Sequence, residues 1–155
     1  MSEVHRILDQ YDRAMKGDAW HGDSIWKILK GISPQQAAAH VDPTAHNIWE
    51  LVAHMTFWET QVCRRLNRLP DRPANKRNFP ATPEATTENW NRTLDEFRKS
   101  NCDLRDAISG LTDSRLDRPL PGRKMPAYAE VHGVIQHDLY HAGQIALLRK
   151  IVTTK

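Results

Sequence analysis

Apolar positions recur at three- and four-residue steps along most of the chain. Val4, Ile7, Leu8, Tyr11 and Met15 share one face over residues 4–15, the signature of an amphipathic helix. Gly17-Asp18 and His21-Gly22 interrupt it, and Ile25, Ile28 and Leu29 resume it from Asp23 or Ser24, either of which can N-cap. The pattern predicts one long, broken first helix. Ser33-Pro34 opens a short helical turn, because proline suits the first helical position. A second long stripe, capped by Asp42 or Thr44, runs Ile48, Leu51, Val52, Met55, Val62, Leu66, Leu69 and stops at Pro70. The third restarts at Thr82-Pro83-Glu84 and carries Trp90, Leu94, Phe97, Leu104, Ile108 and Leu111. The fourth spans Ala127 to Val152, with Val131, Val134, Ile135, Leu139, Ile145 and Leu148 inward. No strand alternation of useful length and no internal repeat accompanies them. Four long helices predict an all-α four-helix bundle, a single domain over residues 1–155.

The connections bear on topology. Residues 70–83 hold four prolines and no helical period. A helix of about 24 residues is about 36 Å long, and this connection can stretch about 46 Å. It can therefore return the chain along the whole bundle, so that helices two and three run parallel. Residues 112–127 form a second long connection.

Composition narrows the class. The chain has 155 residues, 39% hydrophobic and 26% charged, with a mean hydropathy of −0.66. That balance fits a soluble globular protein, and no run nears the roughly 18 apolar residues of a spanning helix. The N-terminal stretch lacks a signal-peptide h-region, and Cys63 and Cys102 form no CxxC pair. Both read as cytoplasmic, with reduced thiols. A net charge of +3 falls short of what nucleic-acid binding asks. Arg64, Arg65, Arg68, Arg72, Lys76 and Arg77 crowd one end of helix two and read as a solvated basic end, nucleic-acid association being a weaker alternative. The five tryptophans read mostly as core or bundle-end packing.

Histidine changes the picture, at eight in 155 residues. His137 and His141 are four apart in the fourth helix, one turn above each other on the stripe of Val134, Ile145 and Leu148. Such a pair either hydrogen-bonds its neighbours or shares an ion. His54 favours the ion: Leu51 and Trp58 flank it on the inward face near the middle of helix two, at the height of the pair. Three imidazoles from two helices leave coordination positions open on one ion, the pattern of a reactive metal site. His46 cannot join as a fourth ligand, being eight residues, or about 12 Å, from His54. His5, His40 and His132 read as surface or packing residues. Ferritin-like Glu-x-x-His pairs, HExxH, a P-loop, GxGxxG and GxSxG are all missing.

The run His132-Gly133-Val134-Ile135-Gln136-His137-Asp138-Leu139-Tyr140-His141-Ala142-Gly143-Gln144-Ile145 resembles the C-terminal motif of the DinB-like (YfiT-like) metalloenzymes. Asn47 to His54, followed by Trp58, resembles their helix-two motif, and Ala19-Trp20-His21-Gly22-Asp23-Ser24 and Phe79-Pro80-Ala81 are similar to segments in a subset of that family. The resemblance implies an up-down-down-up bundle, often a homodimer, holding one divalent ion on three histidines, which carry over onto His54, His137 and His141. It also implies the chemistry of family members with assigned activities, bacillithiol S-transferases and mycothiol-dependent enzymes such as maleylpyruvate isomerase. In these a metal activates a low-molecular-weight thiol.

The expected function is thus a metal-dependent enzyme that turns a small thiol, as an S-transferase, or water, as a hydrolase, on a small-molecule electrophile. The alternative is a non-catalytic metal-binding or stress-response module. The cofactor is one divalent ion, zinc or nickel foremost, with iron, manganese and copper compatible with histidine ligation. His21, at the break in helix one, reads as a proton shuttle or substrate contact, or else as a packed corner with Trp20. Gln144, one turn past His141, reads as reaching the open metal position. Glu50 either bonds a ligand imidazole or faces solvent, and Asp138 caps a basic group outside the core. Trp58 walls the pocket, and Arg115, Arg118, Arg123 and Lys124 supply cations for the carboxylates of a thiol.

Overall fold

A computed structural model describes residues 1–72, 74 and 78–153. Lys76 and Arg77 of the basic run lie outside the described residues. Among those described are seven helices: α1 (Glu3–Met15), α2 (Ile25–Leu29), α3 (Pro34–Ala38), α4 (Ile48–Leu66), α5 (Thr87–Ser109), α6 (Asp113–Leu116) and α7 (Ala127–Thr153). The class is all-α, and no helix among the described residues is long and apolar enough to cross a membrane.

Three long helices and the paired α1–α2 arm make the bundle, and side-chain bonds set their directions. Trp49 Nε1 donates to Thr93 Oγ1 near the start of α4 and α5, and Cys63 Sγ meets the Asp103 carbonyl near their ends. α4 and α5 therefore run parallel, as the long connection predicts. α7 opposes α4, since Arg65 meets Glu130 while His54 meets His137. α1 opposes α5: Val4 N donates to Asp113 and Arg105 pairs with Asp12. The order is up-down-down-up.

The first arm is two separate helices rather than one broken one. Gly22, at φ 132°, takes a backbone conformation that other residues rarely adopt, and turns the chain between α1 and α2. α2 then packs against α7, where Arg149 Nη1 donates to the Ile28 carbonyl, while Trp26 Nε1 reaches across to Asn101 Oδ1 of α5. Trp20 in this turn is fully exposed at 101%, so Trp20-His21 is not a packed corner.

The helix ends are tighter than the stripes imply. Asn47, not Asp42 or Thr44, caps α4, and Glu50 completes the capping box by accepting from Asn47 N. α4 ends at Leu66, leaving Leu69 half-exposed, and Thr86 caps α5. The core joins Ile7 and Tyr11 of α1, Trp49, Val52 and Met55 of α4, Phe97 and Leu104 of α5, and Val131 and Ile145 of α7. Arg65 departs from the solvated reading of its cluster. It is 7% exposed, bonded to Asp71 through Nε and Nη2 and to Glu130 through Nη1. Both cysteines are free.

Candidate metal centre

α4 and α7 bring the three inward histidines together. Nε2 of His137 lies 3.0 Å from Nε2 of His54 and 3.2 Å from Nε2 of His141. All three ligand atoms fall within 4.8 Å of one another. Ligand nitrogens about 2.0–2.1 Å from a tetrahedral ion sit roughly 3.3 Å apart, so this spacing suits one small ion.

The opposite edge of each ring is held. His54 Nδ1 is 2.8 Å from the Asn78 carbonyl. A carbonyl only accepts, so Nδ1 carries the proton and Nε2 presents its lone pair. His141 Nδ1 is 2.7 Å from Gln144 Oε1, and His137 Nδ1 is 3.4 Å from Asp138 Oδ1. Lone pairs converging in a half-buried space repel one another, and a cation among them turns that repulsion into bonding. The residues present therefore fit the divalent ion that the resemblance implies.

Burial also keeps the rings neutral. It holds the His54 pKa down at about 4, helped by the neighbouring His137, His141 and His46 and opposed by the bond to Asn78. Burial lowers His137 and His141 as well, with Gln144 opposing it at His141. Neutral imidazole is the ligating form.

Phe79 adds a packing constraint that the sequence reading lacks. Its ring stacks on His54 at 3.9 Å and on His46 at 3.7 Å, near-parallel to both. It thus stands between them and keeps His46 out of the cluster. Glu50 is engaged with His46 Nδ1 at 2.9 Å and with the helix cap, not with His54. Trp58 lies edge-on to His54 and His137 and donates Nε1 to Asn78 Oδ1. Asn78 thereby ties the long connection to the site twice.

Behind His137 lies a buried carboxyl pair. Asp138 is fully buried, which corrects its expected place outside the core, and Glu59 is equally buried. Glu59 accepts from Tyr11 Oη at 2.7 Å, from Asn101 Nδ2 at 2.7 Å and from Ser100 Oγ. Burial pushes both carboxyls well above their ordinary range, and Asp138 raises Glu59 further by repulsion. Among the described residues Asp138 Oδ2 has no hydrogen-bond partner. Glu59 escapes the sequence reading although it occupies an apolar stripe, four residues after Met55 and three before Val62. A charge at such a position is the signal that could have found it.

Gln144 is joined to the three histidines through the His141 ring, while His21 is not. The exposed His21 lines a separate cavity of about 610 Å³ with Asp9, Arg13, Ile135 and Leu139. Ile135 and Leu139 precede His137 and His141 by two residues each, about 200° around α7.

Two other cavities open beside the histidines. One of about 290 Å³ has His137, Trp58 and Arg123 in its wall. The other, about 440 Å³, has His141, Gln144, His46 and Tyr140.

A parallel-paired helical bundle with a three-histidine cluster between α4 and α7 is thus the class the geometry defines. The family model of the DinB superfamily matches residues 19–145, and the chain belongs to that superfamily. No curated protein and no solved structure matches it.

Proposed function

We propose that the protein is a metal-dependent enzyme that activates a low-molecular-weight thiol and delivers it to a small electrophile. One observation carries this reading: the Nε2 atoms of His54, His137 and His141 converge at 3.0 and 3.2 Å. When bound, a divalent ion, zinc or nickel foremost, supplies a positive charge that keeps a thiol ionised near neutral pH, where its unperturbed pKa of about 8.5 would not. The chain's own residues orient and exclude. Asn78, Gln144 and Asp138 hold the outer edges of the rings. Phe79 and Trp58 close the flanks.

The choice of a thiol over water rests on the resemblance to bacillithiol- and mycothiol-dependent transferases, and on the two separate cavities, which leave room for two reactants. A homodimer in the cytoplasm is part of the same proposal.

The test is metal analysis of untagged protein, followed by titration of the cobalt-substituted form with bacillithiol, mycothiol, glutathione and cysteine. A sulfur-to-cobalt charge-transfer band, absent in His54→Ala, is expected. If no thiol perturbs the spectrum, hydrolysis becomes the better account.

A further inference from the structure

The cavity beside His137 joins an apolar wall to a charged edge. Trp58, Val62, Met125 and Val134 give it an apolar wall, and Gly133 leaves part of that wall open. A Cβ on Gly133 would meet nothing within 4 Å. At about 290 Å³ it sits at the small end of ligand pockets, which run from about 300 to 1,000 Å³. It has the size for one ring or a short chain.

Its charges are asymmetric. Glu130, buried at 5% exposure, is met on both oxygens, Oε2 by Arg65 Nη1 and Oε1 by Arg123 Nε. Arg65 also gives Nε and Nη2 to Asp71, so all three of its nitrogens are engaged. Arg123 differs, because its side chain is 36% exposed and, among the described residues, its Nη groups have no partner. Glu130 thus steadies a guanidinium whose outer fork is free, and that fork matches a carboxylate.

We infer that this cavity binds a small amphipathic monocarboxylate, its apolar body between Trp58, Met125 and Val134 and its carboxylate on Arg123. The assignment rests on the proposed function in taking this ligand as the electrophile. Small thiol cofactors are polar, and the apolar wall does not suit them. The neighbouring cavity, larger at about 440 Å³ and lined by His46, Gln144 and Tyr140 as well as Leu51, Leu147 and Leu148, is left for the thiol.

The test is calorimetric titration with 3-phenylpropionate and its neutral amide, on protein as purified and again after zinc loading. Wild type should bind the acid at one site per chain and the amide at least tenfold more weakly. Arg123→Gln should bind acid and amide alike. Glu130 keeps Arg65 in that variant, so folding should hold. Gly133→Leu fills the open space, suits a helix better than glycine, and should bind neither compound. Both variants should retain the metal content of wild type.

Equal affinity of wild type for acid and amide overturns the assignment. So does undiminished acid binding by Gly133→Leu, or no binding in either form of the protein. Wild type that binds the acid but carries no metal supports the cavity assignment and overturns the metal reading alone.

Discussion

The backbone carbonyl of Asn78 sits 2.8 Å from Nδ1 of His54, twenty-four residues away in sequence. The same residue's side chain accepts from Trp58 Nε1 at 2.9 Å. The connection that lets α4 and α5 run parallel is therefore also the clamp on one of the three clustered histidines. Backbone carbonyls commonly hold the outer edge of ligand imidazoles, fixing tautomer and ring plane.

Because burial keeps the rings neutral, protons should compete weakly for the site. Metal affinity should change little between pH 7 and 5.5, where an ordinary imidazole of pKa about 6.5 would lose ground. His137→Ala should abolish binding at both values. In the metal-free protein the sign is equally defined. The His54 pKa falls from 6.5 to about 4 on folding. The stability linked to neutral His54 is thus present above pH 6.5 and lost as pH drops toward 4. Competition titrations and the ring proton shifts of His54 check both statements. A His54 that titrates near 6.5 would contradict them.

Gln144 acts on the site through His141. Gln144→Ala should weaken metal binding about 10- to 100-fold, the usual cost of losing such a partner. Gln144→Glu keeps an acceptor at Nδ1 and should recover most of the loss. Unfolding midpoints of the metal-free variants should match wild type, which separates a positioning role from a structural one.

Glu59 should give stability an alkaline slope. Its folded pKa is raised, by burial first and Asp138 second, above the ordinary 4.5. The folded chain therefore holds a proton that the unfolded chain has released, and stability falls as pH rises through that window. The variant Glu59→Gln has no such proton to lose. Its amide oxygen can face Ser100 and Asn101 and its NH₂ can face Tyr11 Oη, which is free to accept because it also donates to the Asn101 carbonyl. Urea midpoints from pH 5 to 9 should therefore move in favour of Glu59→Gln as pH increases. A constant offset between variant and wild type would count against the proton held by folded Glu59.

Arg65 links α4 to α7 through charges that are taken out of water. Arg65→Ala leaves Asp71 and half of Glu130 without partners and should cost about 3–5 kcal/mol, as breaking a buried pair does. Chemical denaturation measures it. A cost under about 1 kcal/mol would place Arg65 with ordinary surface ion pairs.

Much of this molecule is legible in its sequence, for physical reasons that differ by element. The stripes of α4, α5 and α7 are long and regular, so their faces and the meeting of His54 with His137 and His141 follow from periodicity. The reach of residues 70–83 permits the parallel pairing of α4 and α5. Asn78 stays out of sight because it acts through a backbone carbonyl, which every residue carries. The first arm misleads because Gly22 permits a full turn where the apolar spacing alone implies a kink. Asp138 is misplaced because the residue after His137 is expected to face outward, whereas α7 is covered by neighbours on more than one side. His21 is the converse case. A break in a helix brings it to a cavity, but one around α7 from the histidine cluster.

His54 and His137 are 83 residues apart, and only His137 and His141 belong to one local segment. No stretch of nascent chain contains the whole ligand set, so an ion can be gripped by all three rings only after α4 and α7 have docked. Where such contacts complete after the rate-limiting barrier, added stability lengthens the lifetime of the folded state without hastening its formation. The ion would then serve the chain as a latch, closing the bundle after assembly and slowing its escape.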